Sequence, residues 1–169
     1  MDGVRAQGIV RVVVGFDGSE DAAEAVRWAA SLTRLTNSTL RVVWAWKIRD
    51  VWDTTVAARE SGTPSLAEME VVARQRLKES IAALIGDEVP DVEVHVDQGP
   101  DAAGLVLHAA TDADVLVVGS RGRGRTTSAL LGSVSSRCVR EAACPVLVIP
   151  RGLAERTGRT PGPSGGQPG

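Results

Sequence analysis

Residues 9–32, IVRVVVGFDGSEDAAEAVRWAASL, change their periodicity halfway, and that change marks a strand running into a helix. Ile9 to Phe16 is a largely β-branched run of the kind buried on both faces of a parallel sheet. It ends in Asp17-Gly18-Ser19, a turn in which Ser19 can act as helix N-cap. Glu20 and Asp21 follow in the first turn, where carboxylates favour the positive end of the helix dipole. Ala22, Ala25, Val26, Ala29, Ala30 and Leu32 then recur at helical spacing, and side chains this small let a helix lie close against a sheet.

The same alternation continues along the chain. A second strand is expected at 39–45 (TLRVVWA), followed by a long connection over 47–64 that contains Trp52, Gly62 and Pro64. Ser65 and Glu68 form a capping box, and Leu66, Met69, Val72, Ala73, Leu77, Ile81 and Leu84 carry one apolar face as far as Gly86. Val92, Val94 and Val96 alternate with Glu93, His95 and Asp97, the pattern of a strand with one solvated face. Asp101 can cap a short helix reaching Ala110, residues 114–118 (DVLVV) read as a fourth strand, 133–142 as a helix and 146–149 (VLVI) as a last strand. Five strands interleaved with four helices imply an α/β fold: a five-stranded, mainly parallel sheet with helices on both faces and right-handed crossovers. Ligands in such folds bind beyond the carboxyl ends of the strands, where strand order reverses.

Composition narrows the function. A chain of 169 residues with 43 % hydrophobic and 24 % charged residues is ordinary for one globular domain. Aromatic residues make up only 3 %, too few for the stacking platforms that bind single-stranded nucleic acid. The net charge of −2 likewise argues against a binder of the phosphodiester backbone. Two cysteines, Cys138 and Cys144, make no disulfide framework and lack metal-ligand spacing, which fits a reducing cytoplasm. Residues 1–9 hold no apolar stretch long enough for a signal sequence, and no run in the chain approaches the roughly 18 apolar residues of a membrane span. Residues 1–8 read as a flexible N-terminus, 9–150 as the domain, and 151–169 (RGLAERTGRTPGPSGGQPG) as a disordered tail too poor in apolar residues to offset its ordering entropy.

The expected fourth strand leads straight into Gly119-Ser120-Arg121-Gly122-Arg123-Gly124-Arg125, and the spacing G-x2-G-x9-G-S carries the pattern to Gly132 and Ser133 at the start of the last helix. A polyphosphate needs backbone N–H groups that it can approach closely, which glycine permits, and a helix N-terminus with unpaired donors. Gly119 and Gly122 can supply the first, and Gly132, Ser133, Val134 and Ser135 the second, with the hydroxyls of Ser133 and Ser135 as further donors. Arg121, Arg123 and Arg125 add local positive charge to an acidic domain. The same glycines can merely turn the chain and the arginines can be solvated, and spacing alone does not separate the two. There is no G-x-x-x-x-G-K-[ST], and Gly122-x-Gly124 is followed by Thr127 where a dinucleotide fingerprint needs its third glycine.

These residues together resemble the universal stress protein superfamily. The resemblance rests on V-x-F-D-G-S at the first strand's end, Asp112 to Gly122, G-x2-G-x9-G-S through Ser133, and the closing Cys144 to Pro150, and it covers residues 9–150. It implies a Rossmann-like domain of the adenine nucleotide alpha hydrolase type, in the branch that binds ATP, with or without Mg2+ or Mn2+, and commonly a homodimer. By similarity Asp17 would hold the ribose or the adenine edge with Gly15 nearby. Val43 would line the adenine pocket through its backbone. Gly119, Ser120, Arg121, Gly122, Arg123, Gly124, Arg125, Gly132, Ser133, Val134 and Ser135 would lie around ribose and phosphates. Phe16 replaces a smaller aliphatic residue common in the family, and either alters the pocket wall or fills the core.

Read by itself, Asp17 either accepts hydrogen bonds from ligand hydroxyls or caps the next helix, a task that Ser19 already covers. His95 and His108 read as surface residues, Cys138 and Cys144 as inert thiols, Trp28 as core, and the cluster of Trp44, Trp46 and Trp52 as core or lid, where one could border the nucleotide or a partner surface. The leading expectation is a nucleotide-dependent regulatory or stress-response protein that acts by binding. A slow ATPase is the alternative from the enzyme class, weakened because no residue stands out as the base for an attacking water. A nucleotide-independent interaction module is the third. Its strand 146–149, at a sheet edge, would pair with a second copy across a two-fold axis.

Overall fold

The computed structural model describes residues 8–46, 64–86, 92–122 and 131–158. Five strands, β1 (Arg11–Gly15), β2 (Thr39–Trp46), β3 (Val92–Gln98), β4 (Val115–Gly119) and β5 (Val146–Ile149), alternate with helices α1 (Glu20–Thr36), α2 (Leu66–Ile85), α3 (Ala102–Ala109) and α4 (Ser133–Glu141). The sheet order is β3-β2-β1-β4-β5 and every pairing is parallel. The expected α/β architecture is therefore present. The reversal of strand order falls between β1 and β4, so the carboxyl ends of those two strands border the crevice in which such folds bind ligands.

Alternation along β1 shows why its valines are so concentrated. Val12 and Val14 pack with Leu40, Val42, Trp44 and Trp46 of β2 beneath α1 and α2. Val13 turns to the other face with Val43, Leu116 and Val118, against Val106 of α3 and Cys138 of α4. Val12, Val13 and Val14 are all 0 % exposed, and burying each contributes about 1.5–3 kcal/mol. Ala25, Ala29 and Ala30, also fully buried, bring α1 close to the sheet.

The caps follow the sequence signals. The Ser19 hydroxyl accepts the Ala22 N–H at 3.2 Å, and Ser65 and Glu68 form the full capping box of α2. Gly18 adopts φ 80°, a left-handed conformation that the tight exit from β1 requires. Asp101 caps α3 through the Gly104 N–H, and its two oxygens also take Arg137 of α4 at 2.7 and 2.8 Å, so one carboxylate joins the two helices of that face. These bonds, the Gly104 one foremost, hold the Asp101 carboxyl below its ordinary range.

Two readings shift at their edges. The first strand is shorter than the 9–16 run because the Asp114 carboxylate accepts the N–H groups of Val10 and Arg11, and the ladder to β2 starts only at Arg11. The expectation of a disordered segment from Arg151 onward is corrected for its first part. Residues 151–158 are placed and include a short helix, α5 (Leu153–Thr157). Composition misses this because much of the anchoring is polar: Arg151 Nε donates to Asp21 and the Ala154 N–H to Glu24, both on α1, while Leu153 adds an apolar contact with the core. Residues 1–7, most of the 47–64 connection (47–63) and 159–169 lie outside the described residues.

Candidate functional site

The ends of β1 and β4 bring together two motifs that lie far apart in the sequence. The Asp17 carboxylate, just beyond β1, accepts the Ser19 N–H through Oδ1 at 2.9 Å. Its Oδ2 lies where a side chain on Gly122 would begin: a Cβ there would come within 2.6 Å of it. The carboxylate and the glycine loop are thus in direct apposition, and a side chain on Gly122 would displace the Asp17 carboxylate from its present position. Gly119 is tighter still, since a Cβ on it would meet the backbone carbon and oxygen of Asp21 at 2.8 Å.

Gly132 joins the two halves of the glycine pattern. Its N–H donates to the Ser120 carbonyl at 2.8 Å, and a Cβ on it would lie 3.4 Å from Arg121 Cα and 3.6 Å from Gly122 N. It is the N-cap of α4, and no side chain caps that helix. The first-turn amides of Ser133, Val134 and Ser135 have no acceptor within the helix, so the positive end of α4 stands beside Arg121 and Gly122. Ser133 is exposed, and Val134, Arg121 and Gly122 are half-buried.

Two serines take a different part from the one expected. Ser120 is buried, and its polar groups all serve the protein: its N–H donates to Ile149 O at 2.7 Å, its hydroxyl to Asp21 Oδ2 at 3.0 Å, and its carbonyl accepts from Gly132. Ser135 is 2 % exposed, with its hydroxyl 3.0 Å from Ser120 O and 3.1 Å from Gly132 O. Its single hydroxyl proton is used there. Both hold the loop in shape; of the serines in the pattern, Ser133 is the exposed one.

Gly15 and Val43 lie at the same end of the sheet. A Cβ on Gly15 would find ordinary contact with Val106 at 3.5 Å, and the Val43 carbonyl accepts the Phe16 N–H at 2.8 Å with a second lone pair remaining. Phe16 packs against the α1/α2 core and also lines a cleft of about 310 Å3 with Gly18, Trp44, Arg76, Leu77, Glu79 and Ser80. This cleft lies beside Asp17 in sequence and shares no lining residue with the glycine pattern. Arg123, Gly124 and Arg125 fall outside the described residues.

The remaining candidates stay apart from this site. His95 and His108 are exposed. Cys138 is fully buried and burial pushes its thiol up to about 11; Cys144 is also free. Among the described residues no group of three metal-ligating side chains occurs, and no helix is long and apolar enough to cross a membrane.

Sequence reasoning missed Asp21 and Arg151. Asp21 read only as a first-turn carboxylate favoured by the helix dipole, yet its side chain is 0 % exposed and receives Ser120, the Arg121 N–H and Arg151. A signal was present: Asp21 stands four residues before Ala25 and eight before Ala29, on the apolar stripe of α1, where a charge needs a partner.

The sequence pattern of the Universal stress protein family matches residues 9–150. The chain belongs to this family. It is 31 % identical over 154 residues to a universal stress protein of Mycobacterium tuberculosis, a match covering 82 % of this chain and 47 % of that one. The chain thus spans about half the length of that curated relative. Stress response protein NhaX of Bacillus subtilis is 26 % identical over 160 residues, covering 82 % of this chain and 96 % of its own. Among solved structures, a universal stress protein in complex with cAMP aligns with a TM-score of 0.58 at 24 % identity, covering 85 % of this chain and 98 % of that one. The universal stress protein of Archaeoglobus fulgidus in complex with dAMP aligns at 0.52 and 21 %, covering 85 % and 99 %. At these identities the likeness establishes the shared fold.

Proposed function

We propose that this universal stress protein binds ATP at the junction of β1, β4 and α4 and acts as a nucleotide-dependent regulatory protein rather than as a catalyst. The observation that carries the reading is the apposition of Asp17 with Gly122 beside the uncapped N-terminus of α4. Backbone that a Cβ would obstruct, next to first-turn amides with no acceptor within the helix, suits phosphate oxygens. A carboxylate a few ångströms away suits ribose hydroxyls, which donate to it. Two relatives of the same fold are described in complex with adenine nucleotides, cAMP and dAMP, which supports the base in this assignment. A divalent cation, Mg2+ or Mn2+, would be carried in on the phosphates.

Titration calorimetry of the purified protein with ATP is expected to give saturable binding with a Kd below about 1 mM, or about −4 kcal/mol or better. No heat at millimolar ATP, with a cooperative thermal melt intact, would refute the assignment.

The reading includes a homodimer through β5 in a reducing, cytoplasmic setting compatible with two free thiols. Among the described residues β5 pairs only with β4 and forms one edge of the sheet. Leu147 on it is 40 % exposed and Val139 on the neighbouring α4 is 52 % exposed. Pairing with a second copy would cover both the edge and these side chains. Sedimentation at tens of micromolar is expected to give a dimer that Leu147→Lys converts to monomer; a wild-type monomer would count against it.

A further inference from the structure

The wholly buried Asp21 carboxylate is shared by three parts of the chain. Its Oδ2 accepts the Ser120 hydroxyl at 3.0 Å and the Arg121 backbone N–H at 3.1 Å, and its Oδ1 accepts Arg151 Nε at 2.7 Å. Ser120 in turn holds Gly132 at the start of α4. One carboxylate therefore ties the glycine loop to the segment that follows β5. Glu24, one turn further along α1, fixes the same segment through the Ala154 N–H at 2.6 Å.

This arrangement sets an electrostatic problem beside the proposed phosphate site. A buried carboxylate is costly unless it is paired, and here it lies directly behind the backbone of Arg121. Alone, its charge would repel a polyphosphate at the loop and draw the loop out of shape as the carboxylate sought water. Arg151, itself 60 % exposed, supplies the offsetting cation from outside the glycine pattern.

We propose that Asp21 is a positioning residue for the phosphate-facing loop and that Arg151, by neutralising it, sets the affinity of the loop for the charged part of a nucleotide. The inference rests on the nucleotide-binding reading above. It makes the segment after β5 a contributor to the site: release of Arg151, by loss of the segment or by its engagement elsewhere, weakens nucleotide binding, and a bound nucleotide strengthens the hold on Arg151 by the same factor.

The test uses the full chain, with ATP and adenosine as probes and a thermal melt for each variant. Arg151→Gln is expected to weaken ATP about tenfold while changing adenosine by less than about twofold, because only the phosphates feel the uncovered charge. Adding Asp21→Asn to Arg151→Gln keeps an acceptor for Ser120 and Arg121 but removes the charge, and is expected to return ATP affinity to within about threefold of wild type. Equal losses for ATP and adenosine, no loss for either, or a double variant no better than Arg151→Gln would overturn the proposal. If the wild type binds neither probe, the functional reading falls separately. Amide exchange on the ligand-free protein then decides the coupling: protection at Arg121 and Gly132 drops in Arg151→Gln by more than the global loss of stability read from its melt accounts for, and undiminished protection refutes it.

Discussion

Gly119→Ala is expected to destabilise the fold by about 3 kcal/mol, a drop of roughly 6–12 °C in Tm for a domain of this size. The added methyl would meet Asp21 backbone carbon and oxygen at 2.8 Å and its Cβ at 2.9 Å. Backbone cannot swing aside as a side-chain tip can, so β4 and the first turn of α1 must separate. The sign of the effect is diagnostic. Gly119 is not among the glycines with positive φ. At such a position alanine ordinarily stabilises by about 0.4–1 kcal/mol through its smaller unfolded-state entropy. A thermal melt equal to or above wild type would show that β4 and α1 do not approach as closely as the structure has them.

Gly122→Ala is expected to do the reverse, sparing the fold and damaging the site. The nearest atom to its new Cβ is Asp17 Oδ2 at 2.6 Å, and Asp17 Cγ is 3.7 Å away. The carboxylate can rotate away, so the expected Tm change is small, within about 3 °C. Rotation takes Asp17 from the position facing the loop, and the methyl fills the approach to the backbone amides. ATP affinity is expected to fall tenfold or more, about 1.4 kcal/mol, in a titration run beside the melt. Unchanged affinity would remove Gly122 from the site; a Tm loss as large as that of Gly119→Ala would make its role structural.

The contrast between these two glycines was hidden in the sequence, where both belong to one spacing pattern after a strand. The pattern located the loop correctly at the end of β4, and the V-x-F-D-G-S stretch placed Asp17 at the end of β1. That the two face each other follows from the order β3-β2-β1-β4-β5, which seats β4 beside β1 although β2 and β3 intervene in the chain. Ser120 and Ser135 show the converse limit. A serine in a glycine-rich loop looks the same whether its hydroxyl meets a ligand or a carbonyl, and only the distance to Asp21, Ser120 O and Gly132 O separates the cases. Arg151 was hidden for another reason: low apolar content predicts weak burial, and its segment is held by an ion pair and a hydrogen bond to α1, with Leu153 as its apolar contact with the core.

The sequence by itself determined the alternation of strands and helices, their caps and the two-sided burial of β1, because these depend on local periodicity and on side chains acting within a few residues of one another. It also determined the family, through motifs long enough to be specific. The tertiary structure alone decided which carboxylates, glycines and hydroxyls meet, since those pairs are separated by 99 to 130 residues in the cases of Ser120 and Arg151 with Asp21. Strand order and the packing of α1 against the ends of β4 and β5 set such contacts, and no local pattern encodes them.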